Sequence, residues 1–160
     1  MKTQENLATA FAGESQANRK YLCFADQAEK EGHKGAARLF RAAAEAEQLH
    51  AFAEFKAMGG VGTTAENLKA ANAGETYEYT EMYPPMVEAA KAEGAAKAER
   101  IFSMAKAAEE VHANLYKEAL ANLGEDAEYY LCPVCGYIHK GAPSNACPIC
   151  GAKAESFKKF

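Results

Sequence analysis

The sequence predicts an all-α four-helix bundle, internally duplicated, followed by a small tetrathiolate metal domain. Three observations carry that reading. First, EGHKGAARLFRAAAEAEQLHA (31–51) and EGAAKAERIFSMAKAAEEVHA (93–113) align without a gap, with ten of twenty-one positions identical. Second, each copy ends in Glu-x-x-His and is preceded by Ala-Gly-Glu, at 12–14 and 73–75. Third, the last thirty residues lose helical periodicity and carry two Cys-Pro-x-Cys-Gly knuckles. Repetition at a fixed period governs architecture, so the chain is read as two related helical units and a tail.

The elements follow in order. Residues 3–31 are rich in Ala, Glu, Gln and Lys at helical spacing, and Gly32 suits a helix end. A second helix is expected over 34–58, closed by Gly59-Gly60. The stretch VGTTAENLKAANAG then forms the longest connection in the first 120 residues, with room for a short helix. A third helix is expected over about 73–92, kinked at Pro84-Pro85, where backbone donors are missing. Gly94 ends it, and a fourth helix spans 95–123. The expected domains are a bundle over 1–124 and a metal module over 125–160.

The acids on these helices lie on stripes that a helix buries. Glu14 shares its face with Leu7, Phe11 and Tyr21, Glu47 with Phe40, Ala43 and His50, and Glu109 with Phe102, Ala105, His112 and Tyr116. Glu and His at i, i+3 point the same way. A buried carboxylate without a partner is costly, and basic residues are scarce on these stripes, so a metal is the simplest partner. One Glu from each of two helices, Glu14 and Glu75, with Glu-x-x-His from the other two, is the ligand pattern of ferritin-like di-metal bundles. Four carboxylates and two imidazoles suit a pair of iron or manganese ions, and zinc also fits the ligand types. Glu78, on the face of Glu75, is either a seventh ligand or a partly exposed acid.

Cys132, Cys135, Cys147 and Cys150 form a tetrathiolate site for zinc or iron, on which so small a module depends for its fold. His139 between the knuckles is expected to be a solvent-facing loop residue. Cys23 reads as a small buried thiol. Net charge is -4 and pI about 5.6, which excludes the basic footprint of nucleic-acid binding. No apolar leader and no run of 18 apolar residues is present, so a cytoplasmic protein without a membrane span is expected.

Glu14, Glu47-x-x-His50, Glu75-x-x-Glu78 followed by Met82-Tyr83-Pro84, Glu109-x-x-His112 and the two knuckles together resemble the rubrerythrin family over essentially the whole chain. The tail resembles rubredoxin, which implies one iron there, with zinc possible in recombinant material. The resemblance implies two irons in the bundle, bridged by Glu47 and Glu109. Glu14 and Glu78 would ligate one iron, and Glu75 with His112 the other. His50 would replace Glu78 on reduction, and Tyr21 and Tyr83 would stand beside the ligands. It implies a peroxidase of oxidative-stress defence that reduces hydrogen peroxide to water. Its electrons would come through the rubredoxin-like iron from rubredoxin or an NAD(P)H-dependent reductase. It also implies a homodimer, head-to-tail. The competing readings are a ferroxidase or iron-handling ferritin-like protein, and an adaptor whose tail is a structural zinc ribbon. The chain departs from the family pattern in a short connection between its second and third helices and in tyrosines at 77 and 79. Because the fourth helix runs on past His112, the tail is expected to be carried away from its own bundle site, so that electrons cross between subunits.

Overall fold

A computed structural model of the chain describes residues 2–160. Two compact units meet at Gly62 and Thr63.

The first unit is a helical hairpin of α1, Lys2–Lys30, and α2, Lys34–Ala57. Its turn is tight because Gly32 takes φ 83, a left-handed conformation that side chains disfavour, while the His33 N–H returns to the Ala28 carbonyl at 2.8 Å. The seam is made of small residues. Ala25 and Ala28 of α1, with Ala37, Ala44 and Ala51 of α2, are buried, the last three at intervals of seven. Alanine at that spacing lets two helices approach closely along their length. Asn18 is the buried polar residue of the seam, and its amide donates to the Ala44 carbonyl at 2.6 Å. Phe11 stacks on Phe55 with centroids 5.0 Å apart, and Tyr21 lies 6.2 Å from Phe40, so aromatic layers bracket the level of Glu14 and Glu47.

The second unit contains α3, Thr64–Tyr77, a π-helical turn, Glu78–Met82, then α4, Tyr83–Ala92, and α5, Ala96–Ala121. The third helix therefore begins about nine residues earlier than expected. Thr63 caps it in a reciprocal box with Glu66, which satisfies backbone donors at a position where hydrophobic periodicity gives no signal. The expected kink at Pro84-Pro85 falls instead on the π turn just before them. Prolines 84 and 85 occupy the first turn of α4, where missing N–H groups cost least, and the Tyr83 N–H reaches the Glu78 carbonyl five residues back. Asn72 of α3 donates to the Ala113 carbonyl of α5 at 2.6 Å.

The tail forms a three-stranded antiparallel sheet, with β1, Tyr129–Leu131, between β2, Ile138–Lys140, and β3, Lys158–Lys159. It folds back onto its own α5 and is not carried away from it. Lys140 ion-pairs with Glu118 of α5 and with Glu125 in the connection, and an apolar cavity of about 380 Å³ lies between Leu115 and Tyr116 of α5 and Leu131, Ile138 and Phe160 of the tail. His139 is a half-buried residue of β2 rather than an exposed loop residue; its Nδ1 pairs with the Gly141 carbonyl at 2.9 Å. Cys23 is exposed, not buried, because alanines fill the hairpin seam.

Candidate metal centres

Each helical unit gathers three of the expected ligands. In the hairpin, Glu14, Glu47 and His50 bring ligand atoms within 4.8 Å of one another. His50 Nδ1 lies 3.0 Å from Glu47 and 3.7 Å from Glu14. The carboxylates touch closely enough that the Glu14 carboxyl is pushed above its usual range, chiefly by the hydrogen bond with Glu47 and then by burial.

In the second unit, Glu75, Glu109 and His112 form the matching group. His112 Nδ1 is 2.7 Å from Glu109. The imidazole is 15% exposed, against 58% for His50. The other ring nitrogen, Nε2, meets the Gly136 carbonyl at 2.8 Å. A carbonyl can only accept, so Nε2 donates to it, and the ring is held with Nδ1 turned toward the acids, the orientation a metal-binding imidazole takes. The Glu75 carboxyl is pushed up to about 7 by burial and by the neighbouring Glu109. Two carboxylates and an imidazole brought within 4.8 Å of one another are a donor set that fits a metal cation.

The structure does not bring Glu78 into that group. It lies at the start of the π turn, and its carboxyl is raised by burial and then by Glu75, so it stands beside the ligands without joining them. Tyr83 packs 6.3 Å from Phe102, and burial followed by Glu109, Glu78 and Glu75 raises its phenol. Tyr21 makes its described contacts through its ring, with Phe24 and Phe40. Tyr116 was not singled out as a site residue in the sequence, yet burial, Glu75 and Glu109 raise its phenol too. Its spacing was the signal: it follows His112 by four residues and Glu109 by seven, one stripe of one helix.

The four cysteines converge in the tail. Cys132 and Cys150 sulfurs are 3.6 Å apart, and Cys135 and Cys147 sulfurs 3.5 Å. A tetrahedral ion with metal–sulfur bonds of about 2.3 Å needs sulfur–sulfur edges of about 3.8 Å, so the cage fits. Burial pushes the Cys135 and Cys150 thiols up, whereas at Cys132 the backbone N–H groups of Val134 and Cys135, with the hydrogen bonds from Cys150 and Cys135, together outweigh burial and bring the thiol to about 7. The Tyr137 and Ala152 N–H groups donate to Cys135 and Cys150 and favour their thiolates, without offsetting burial there.

The helical fold, its carboxylate–histidine groups and the four-cysteine tail define a ferritin-like metalloprotein with a rubredoxin-like module. The rubrerythrin family model matches residues 5–120, and the model of the rubredoxin-like domain of rubrerythrin matches residues 130–158. Nigerythrin of Nitratidesulfovibrio vulgaris is 38% identical over 174 aligned positions, covering 99% of this chain and 86% of the relative. Rubrerythrin-2 of Clostridium acetobutylicum is 33% identical, covering 99% and 96%. Rubrerythrin of Porphyromonas gingivalis is 36% identical, covering 98% and 89%. Among solved structures, nigerythrin in its fully reduced, all-ferrous state matches with TM-score 0.62 and 37% identity, over 99% of this chain and 86% of that one. The chain belongs to the rubrerythrin family. It carries that family's di-iron carboxylate residues and its four-cysteine site. Among the described residues, no helix is long and apolar enough to cross a membrane.

Proposed function

We propose that this chain is a non-haem di-iron peroxidase of oxidative-stress defence in the cytoplasm, reducing hydrogen peroxide to water. The electrons enter through the tetrathiolate iron from rubredoxin or an NAD(P)H-dependent reductase. In this reading Glu47 and Glu109 would be shared by the two irons, Glu14 and Glu78 would complete the holding of one and Glu75 with His112 that of the other, and His50 would take the place of Glu78 on reduction. The working protein is a homodimer, with a bundle over 1–124 and a module over 125–160. The observation that carries the reading is the hydrogen bond from His112 to Gly136, the residue after Cys135. It gives a short covalent and hydrogen-bonded route from a thiolate ligand to a bundle ligand, for which a storage protein or a zinc ribbon has no use.

When bound, the irons would supply the redox chemistry, two electrons from the bundle pair for the O–O bond and single-electron delivery at the four thiolates. The balance is H2O2 + 2 e⁻ + 2 H⁺ → 2 H2O, so two protons must arrive at the site. The phenols of Tyr83 and Tyr116, held protonated beside the carboxylates, are the groups able to hold and move them. The Gly136 carbonyl keeps the His112 ring in one tautomer throughout.

The test is metal analysis with a visible spectrum, followed by reaction with peroxide. The expected protein is red, holds about three irons per chain, and after reduction is bleached until peroxide restores the colour. Zinc on the thiolates of protein from its natural source, or a reduced thiolate iron that peroxide leaves unoxidised, sinks the reading.

A further inference from the structure

The connection between α2 and α3 is too short for a ferritin-like bundle made by one chain. In that topology the two hairpins are joined by a crossover, so the second and third helices run parallel and their connection returns along the bundle. Past Glu47, α2 continues to Ala57, about 15 Å. From Thr64, α3 runs to Glu75, about 16 Å. With both glutamates at one level, the connection must climb about 31 Å, before any lateral shift between helices. The seven steps from Ala57 to Thr64 reach at most about 25 Å fully extended.

The segment is also far from extended. The N–H groups of Met58, Gly59 and Gly60 return to the carbonyls of Glu54, Lys56 and Phe55. A side chain at Gly60 would run into the Phe55 ring, so the turn is tightly built. Thr63 is already the cap of α3. Three steps, about 11 Å at most, remain between Gly60 and Thr63.

We propose that each di-metal site is assembled from two copies of this chain. Glu14, Glu47 and His50 of one copy face Glu75, Glu109 and His112 of the other, and the exchange is reciprocal. The inference rests on the six-ligand reading above. A two-fold pair then makes two complete bundles, and each rubredoxin-like module serves a site whose second half comes from the other copy. The occupant of each hairpin's open face is thus a second copy, because the crossover its own chain would need is out of reach.

Two full-length variants test it. One carries alanine at Glu14, Glu47 and His50, the other alanine at Glu75, Glu109 and His112. Each alone has no complete site. Co-expressed with different tags, purified as mixed dimers and loaded anaerobically with ferrous iron, they should hold one intact bundle site: about four irons per dimer, against about two for either parent, which keep only thiolate iron. If each chain builds its own bundle, every site in the mixed dimer is damaged and the count stays at about two, which overturns the proposal. The readout is metal content, so a failure of peroxide turnover leaves it intact. Should either variant fold poorly, the unaltered iron-loaded protein provides a second measurement. Its mass by light scattering should be at least twice 17.2 kDa, and a metal-replete monomer overturns the proposal. Inserting about twenty Gly and Ser residues after Gly60 gives the connection enough contour to cross, and should yield metal-replete monomers. If that insertion leaves only dimers unable to complement as above, the pairing is wrong.

Discussion

The Nε2 atom of His112 lies 2.8 Å from the carbonyl oxygen of Gly136, joining the carboxylate–histidine group of the helices to the first cysteine knuckle. The contact fixes the imidazole and couples two centres that a description of motifs treats as separate. Replacing His112 by alanine should leave the tetrathiolate iron bound, since the imidazole reaches the module through the Gly136 carbonyl and not through a sulfur, while slowing reoxidation of that iron by peroxide at least about tenfold. Stopped-flow absorbance of the reduced protein mixed with peroxide reads this directly. An unchanged rate would remove the imidazole from the route.

Glu78 stands outside the three-ligand group and next to Glu75. Glu78→Ala should therefore keep its bundle iron and lose turnover, by roughly 10–100-fold. Iron content and peroxide consumption, measured on one sample, separate the two effects. Loss of the metal would make the residue an obligatory ligand.

Metal-free protein should lose stability as pH rises. The Glu75 carboxyl is raised to about 7 in the fold from 4.5, so its contribution is fully present below 4.5 and disappears as pH passes about 7. Urea midpoints of the metal-free protein should fall between pH 5 and pH 8, and fall less in Glu75→Gln, which cannot ionise. Loading with ferrous iron should release more protons at pH 6 than at pH 8, because the ion displaces the proton that the pair then holds.

Tyr116 shares the pair's surroundings and should matter through its hydroxyl. Tyr116→Phe keeps the ring and its packing, so stability should change by no more than about 1 kcal/mol while peroxide turnover drops several-fold with iron retained. Turnover that matches the parent protein would reduce Tyr116 to a packing residue.

The site was legible because its chemistry conflicts with its position. Glutamates on apolar stripes, repeated four times, have few physical justifications besides a metal, and four cysteines in two knuckles have fewer. The helix caps, the route of the tail and the π turn were harder to read. Where α3 begins depends on Thr63 and Glu66 satisfying each other, a local polar exchange invisible to hydrophobic period. That the tail returns to α5 depends on Lys140, Glu118 and Glu125, three charges with no motif linking them. Cys23 was misread because a residue type's general tendency to burial says nothing about a seam already filled by Ala25 and Ala28.

The π turn at Glu78–Met82 also marks where the two halves differ in length. Glu14 precedes Glu47 by 33 residues, whereas Glu75 precedes Glu109 by 34. The surplus arises before Gly94, since Gly32 follows Glu14 by 18 residues and Gly94 follows Glu75 by 19. A π turn is a helix that has absorbed one additional residue. Between Glu75 and Gly94 the second half thus holds one residue more than the first holds between Glu14 and Gly32, and the π turn accommodates it. The bulge spares α4 a rotation of about 100° about the helix axis relative to the stretch that carries Glu75. The symmetry of the two halves breaks next to Glu78, the acid that has no counterpart in the first half.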